Sequence, residues 1–158
     1  MRALLIPVLL LALAVAGCQS VVDHSGPLNI TSVSVTTAPG YDGPAELARM
    51  VRKEATRQLA GQGASGEPAT VDIVLTQVWY TDGAKALIIG TVNRVRADVT
   101  VRDASGAVLA SFEQKADVFY QPRNLLGPFI LNGRQDTVMV DPKLAFWLAQ
   151  MIRLRIYG

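Results

Sequence analysis

Residues that carry chemistry are scarce in this chain. Its 158 residues include one cysteine, Cys18, and one histidine, His24. A single cysteine excludes an internal disulfide. The common zinc sites need several Cys and His ligands, which cannot be assembled here, so no metal and no cofactor is expected. A Ser–His–Asp or Cys–His arrangement would have to recruit His24. That residue lies six positions past Cys18 in a polar stretch. Nothing there holds an imidazole tautomer in place, and loosely held groups catalyse poorly. We read His24 as a solvated tether residue. No phosphate-cradling glycine loop is present. Charge of one sign is also in short supply: 15 Lys and Arg face 13 Asp and Glu, for a formal net charge of +2. Nucleic-acid binding needs basic residues clustered on one face, so no such partner is expected. Aromatic residues make up 6% and charged residues 18% of the chain, which excludes a collagen, a coiled coil or an acidic disordered chain.

Long apolar runs are confined to the start. Of the first 17 residues, 14 are apolar. No later stretch approaches the roughly 18 uncharged apolar residues that a membrane span requires. Arg2 gives a short positive region, and Ala3 to Ala14 form an apolar run of 12 residues, too short to span but suited to a secretory leader. The run ends in Val15-Ala16-Gly17, immediately before Cys18. This arrangement resembles the lipobox of bacterial prolipoproteins, an aliphatic residue, two small residues and a cysteine. The resemblance implies that Val15, Ala16 and Gly17 are read by the signal peptidase and that residues 1–17 are removed. It also implies that Cys18 becomes an N-terminus carrying palmitate-type acyl chains. Two or more chains anchor firmly where one does not. Gln19 stands where enterobacterial-type lipoproteins held in the inner membrane carry aspartate. The resemblance therefore implies an outer-membrane location, lipid-anchored and facing the periplasm. Residues 18–27 then form the lipidated cysteine and a tether, which extended reaches about 30 Å.

Residues 28–158 are expected to form one globular domain. Leu28 to Thr37 is rich in β-branched residues and reads as a strand. After Pro39-Gly40, the spacing of Leu47, Met50, Val51, Ala55 and Leu59 predicts a helix. Pro44 suits its first turn and Asp42 or Gly43 its cap. Gly61 and Gly63 end it before a surface loop over residues 61–69. Val71 to Tyr80 reads as a central strand, with Val71, Ile73, Leu75 and Trp79 on one face and Val74 and Val78 on the other. Ala86 to Val92 is a further apolar run, interrupted by Gly90.

A long hairpin follows. Arg94, Arg96, Asp98, Thr100 and Arg102 alternate with Val95, Ala97, Val99 and Val101, and Asp103-Ala104-Ser105-Gly106 makes the turn. A four-residue loop pairs Val101 with Val108, Val99 with Ala110 and Ala97 with Phe112, and sets Arg96 opposite Glu113. Asn132-Gly133 signals a second hairpin, pairing Phe129–Leu131 with Thr137–Val140. Asp141-Pro142 reads as the cap and first position of a final helix, whose apolar residues are Leu144, Phe146, Trp147, Leu148, Met151, Ile152 and Ile156. The expected fold class is α+β: a mainly antiparallel sheet with two helices packed on one face, a two-layer sandwich. This order of elements resembles that of small Gram-negative outer-membrane accessory lipoproteins.

Three functions are weighed. The first is a non-enzymatic accessory or scaffolding module that docks an envelope protein partner. Its candidate patch is Leu125, Leu126, Phe129, Ile130 and Leu131, apolar residues set among turn residues without a clear period. The second is a module for an apolar small molecule or lipid, with Trp79, Phe112 and Trp147 lining a pocket between sheet and helices. The third is a glycan hydrolase. It requires two acids about 5–9 Å apart across one cleft, and the candidates Asp72, Asp82, Asp98 and Glu113 are embedded in no motif. We assign no catalytic residue and expect no enzyme activity.

Overall fold

The computed structural model describes Val22 and residues 26–80, 91–120 and 134–158. Its elements run β1 (Leu28–Thr37), α1 (Ala45–Leu59), β2 (Glu67–Trp79), β3 (Thr91–Asp103), β4 (Val108–Tyr120) and α2 (Arg134–Tyr157). The sheet order is β1-β2-β3-β4. β1 and β2 are parallel, a pairing that needs a crossover, and α1 supplies it. The two later pairings are antiparallel. α1 packs on β1, α2 packs on β3 and β4, and the helices pack on each other. The architecture is therefore the expected α+β sandwich, with two helices on one face of a mostly antiparallel sheet.

Binary patterning explains the layers. α1 buries Leu47, Val51, Ala55, Gln58 and Leu59, one face at helical spacing. β3 buries Val95, Ala97, Val99 and Val101 and leaves the alternate charged residues on the open face. In α2, Leu144, Ala145, Leu148, Ala149, Ile152 and Ile156 are buried, and the two alanines let the helix approach the sheet. Phe146, Trp147 and Met151, read as part of the same stripe, are exposed. Among the described residues no helix is long and apolar enough to cross a membrane.

Four expectations are corrected. First, β2 carries a bulge between Leu75 and Gln77. One extra residue reverses the alternation beyond it, so Val78 is buried and Trp79 is exposed, the opposite of the sequence reading. Second, the β3–β4 hairpin is offset by two residues. Val101 pairs with Ala110, Val99 with Phe112 and Ala97 with Gln114. A shift of two preserves the faces but sets Arg96 opposite Lys115 and Asp98 opposite Glu113. The turn and a bulge explain the shift. The Asp103 amide donates to the Ala107 carbonyl at 3.0 Å, and the Asp103 carboxylate accepts from the amides of Ser105 (2.8 Å) and Ala107 (2.9 Å). Closing the turn on Ala107 moves the register by one residue, and a bulge between Val101 and Arg102 moves it by one more.

Third, α2 begins at Arg134, so Thr137–Val140 is helical and Pro142 lies inside the helix. A proline there cannot donate to the carbonyl four residues back. Burial of Val140 and Asp141 holds the preceding turn in place. Fourth, Val22, inside the expected tether, is 5% exposed and belongs to the core. Pro44 is the N-cap of α1 and no side chain bonds the cap. The leader, Val15, Ala16, Gly17, Cys18, His24, Asp82, most of the 86–92 run, and the patch Leu125, Leu126, Phe129, Ile130 and Leu131 lie outside the described residues.

Candidate interaction surface

A sheet leaves unpaired backbone groups at its two edges, and proteins usually blunt them. β1 is covered. A bulge lies between Ile30 and Ser32, Ile30 forms an isolated bridge with Ala60, and the Gly61 amide donates to the Ile30 carbonyl at 3.3 Å. Farther along, the Arg52 guanidinium donates to the Val35 carbonyl at 2.6 Å. β4 is treated differently. Among the described residues its backbone partners come from β3, apart from the Gln114 side-chain amide, which donates to the Lys115 carbonyl at 2.8 Å.

Apolar side chains flank this open edge on both sides. On the helix side, Trp147 and Met151 of α2 line a cavity of about 460 Å³ with Gln114, Lys115, Ala116 and Asp117 of β4. Trp147 is 44% exposed and its ring meets Phe146 edge-on, with centroids 5.4 Å apart. On the open sheet face, Phe119 is 75% exposed. Lower on the strand the edge is closed differently, where the Arg155 guanidinium lies 5.3 Å from the centre of the Phe112 ring.

The open sheet face carries a second feature. Gln77, Trp79, Val92, Arg94 and Arg96 line a cavity of about 220 Å³ at the end of the sheet where β2 and β4 finish. Trp79 is there because of the bulge in β2, and it is 62% exposed. Arg94 donates to both oxygens of Asp117 at 2.6 Å, and this hydrogen bonding holds the Asp117 carboxyl below the usual carboxylate range. Arg96 Nε is buried and has no acceptor among the described residues.

The structure does not bring the expected small-molecule pocket together. Trp79 lies on the open face, Phe112 is buried on the helix side of the sheet, and Trp147 lies beside β4. Of the acidic candidates among the described residues, the register sets Asp98 opposite Glu113, and Asp72 is engaged elsewhere. Asp72 accepts from Ser34 Oγ at 2.6 Å and lies 3.4 Å from Arg102 Nε. Asp98 and Glu113 face each other across β3 and β4, both exposed. No group of three or more His, Cys, Asp or Glu that could hold a metal occurs among the described residues.

The most perturbed ionisable groups form a buried cluster that sequence reasoning missed. Tyr80 Oη donates to Asp141 Oδ1 at 2.6 Å, joining the end of β2 to α2. Burial, more than the hydrogen bond to Asp141, raises the Tyr80 phenol well above its ordinary value. Burial, with the nearby charges of Asp141 and Asp42, pushes Tyr41 up to about 12. Burial also raises the Asp141 carboxyl, against the opposing pull of the Tyr80 hydroxyl. Between the ordinary carboxylate range and this higher value, the folded chain holds a proton that the unfolded chain has released. Stability contributed by this group is therefore present at low pH and lost as pH rises through that window. Asp141→Asn keeps an acceptor for Tyr80 and removes the charge. Its urea midpoint is expected to gain on the parent as pH rises from about 4 to about 7. A midpoint that does not move in the variant's favour relative to the parent over that range would show that Asp141 is not held this way.

No protein-family model matches the chain. No curated protein matches it. Solved structures give distant likenesses. A provisionally assigned lipoprotein from Caulobacter crescentus CB15 is 18% identical, covers 78% of this chain and 86% of its own, and has a TM-score of 0.45. A PelC variant from Paraburkholderia phytofirmans, solved as a dodecamer, is 14% identical, covers 85% of this chain and 95% of its own, and has a TM-score of 0.45. Likeness of fold does not by itself transfer a function.

Proposed function

We propose that the chain is a lipid-anchored lipoprotein of the cell envelope, held at the outer membrane and facing the periplasm. It works by contact, without bond-breaking, as an accessory or scaffolding module for an envelope protein. The open edge of β4 carries this reading. An extended segment of the partner adds there as a fifth strand, which satisfies backbone groups on both sides. Its alternate side chains settle against Trp147 and Met151 on the helix side and Phe119 on the open face. The expected patch Leu125, Leu126, Phe129, Ile130 and Leu131 begins five residues past the end of β4 in the sequence and is taken as part of the same proposed contact.

The test is photocrosslinking in intact cells, with the reactive residue placed at Lys115 on β4 or, for comparison, at Thr36 on β1. Lys115 is expected to capture one protein, identifiable by mass spectrometry. Trp147→Arg in the same chain is expected to lower the yield about tenfold, since a charge on an apolar contact costs at least 1.4 kcal/mol. Equal capture of that protein from Thr36, or a yield unchanged by Trp147→Arg in folded protein, rules the reading out.

A further inference from the structure

Arg94 and Arg96 stand two residues apart on the same face of β3, and their forks are treated differently. The Arg94 fork is closed by Asp117, which accepts from Nε and Nη2 at 2.6 Å each. The direct cross-strand neighbours of Arg96 are Gln77 on β2 and Lys115 on β4, neither of them an anion. Its Nε is buried with no acceptor among the described residues, although the Asp117 carboxylate lies near enough to feel the Arg96 charge. A buried donor on a charged group costs free energy while it stays unpaired. Nε is closed off from the cavity, so an anion there would meet the terminal Nη groups, which one carboxylate can bridge.

The space beside Arg96 limits what carries that anion. The cavity measures about 220 Å³. That is below the range of roughly 300–1,000 Å³ usual for drug-sized ligands, yet several times the roughly 30 Å³ of one water. It therefore holds a single ring. Trp79 presents an exposed indole as one wall and Gln77 an amide that both donates and accepts. An apolar platform, an amide for hydroxyls and a fork for a carboxylate together fit a sugar ring that bears a carboxyl group.

We propose that this cavity binds a uronate unit of an acidic glycan. Arg96 takes the carboxylate, the ring lies on Trp79, and Gln77 meets a ring hydroxyl. The site uses the open sheet face and not the edge of β4, so it stands whether or not the proposed partner docks there.

Calorimetric titration of the purified full chain with oligogalacturonate tests the site. Binding is expected, and the carboxyl-reduced oligosaccharide should bind at least tenfold more weakly. Arg96→Gln and Trp79→Ala should each weaken oligogalacturonate at least tenfold, while Arg102→Gln, on the same face but away from the cavity, should leave it unchanged. Arg96→Lys serves if Arg96→Gln fails to fold. It keeps the charge without the fork, and a comparable loss is expected. Trp147→Arg should not affect this binding. The proposal fails if oligogalacturonate does not bind, if folded Arg96 variants bind it as the parent does, or if inorganic phosphate or poly-glutamate competes as strongly as the glycan.

Discussion

Leu148→Ala is expected to lower the free energy of unfolding by about 2–5 kcal/mol. Leu148 is fully buried, on the face of α2 that meets the sheet and α1. The cost of such a truncation depends on how far the surroundings collapse into the space. Its neighbours along the buried stripe include Leu144 and Ile152 as well as the short Ala145 and Ala149, all of them buried. Native domains are stable by about 5–15 kcal/mol, so one side chain represents a large share of the total. Urea denaturation should show a lower midpoint with an unchanged slope. Trp147→Ala is the internal comparison. It removes a larger side chain one position away, but one that is exposed, meeting Phe146 edge-on and lining the cavity beside β4. Its cost should stay under about 1 kcal/mol. If the two variants cost the same, α2 is not seated as described.

That comparison also shows what periodicity reveals in a sequence. The spacing of Leu144, Leu148, Ile152 and Ile156 identifies the buried stripe of α2, but it assigns Trp147 and Met151 to the same apolar surface. Only packing against β4 separates them. In β3, strict alternation over residues 94–102 is legible because every second side chain is charged or polar. β2 defeats the same rule. A single bulged residue exchanges the roles of Val78 and Trp79, and nothing in the local pattern announces it. The consequence reaches the proposed binding site, because Trp79 lines the cavity on the open face only when it is turned outward.

The hairpin register fails for a related reason. Apolar pairing cannot distinguish registers that differ by two, and opposite charges favour the one expected from sequence. The turn at Asp103 and the bulge beside it outweigh them. The resulting like-charge pairs, Arg96 with Lys115 and Asp98 with Glu113, are adjacent along the strands, so each charge keeps an opposite one on the diagonal. Exposed ion pairs contribute only about 0–1 kcal/mol, too little to overrule a turn. Pro142 misled in the same way, since a first-turn preference is a local rule and the burial of Asp141 beside Tyr80 is not. The patch at 125–131 and the lipobox rest on sequence alone.

The largest change expected from any single substitution is at Cys18. If its thiol carries the acyl chains that the lipobox implies, Cys18→Ser removes the site of attachment. It should also block cleavage between Gly17 and residue 18. Each buried CH₂ contributes about 0.8 kcal/mol, so one chain of palmitate length is worth on the order of 10 kcal/mol and two or more hold essentially without release. The effect on location should therefore be all or none, unlike the graded effect of a core truncation. The parent is expected in the outer-membrane fraction with a lipid-modified N-terminus at residue 18. The serine variant should be absent from that fraction and show no N-terminus there, by fractionation and intact-mass measurement. Val22 sharpens the expectation. With that side chain docked in the core, Gln19 to Val21 are all that separate the anchor from the folded body. Four backbone steps span about 14 Å at full extension, so the parent domain is held against the bilayer surface. Proteolysis between Cys18 and Val22 should accordingly be slow in membrane-bound protein and fast in the detergent-solubilised chain. A Cys18→Ser protein that still fractionates with the outer membrane would leave the anchor, and the envelope reading built on it, without support.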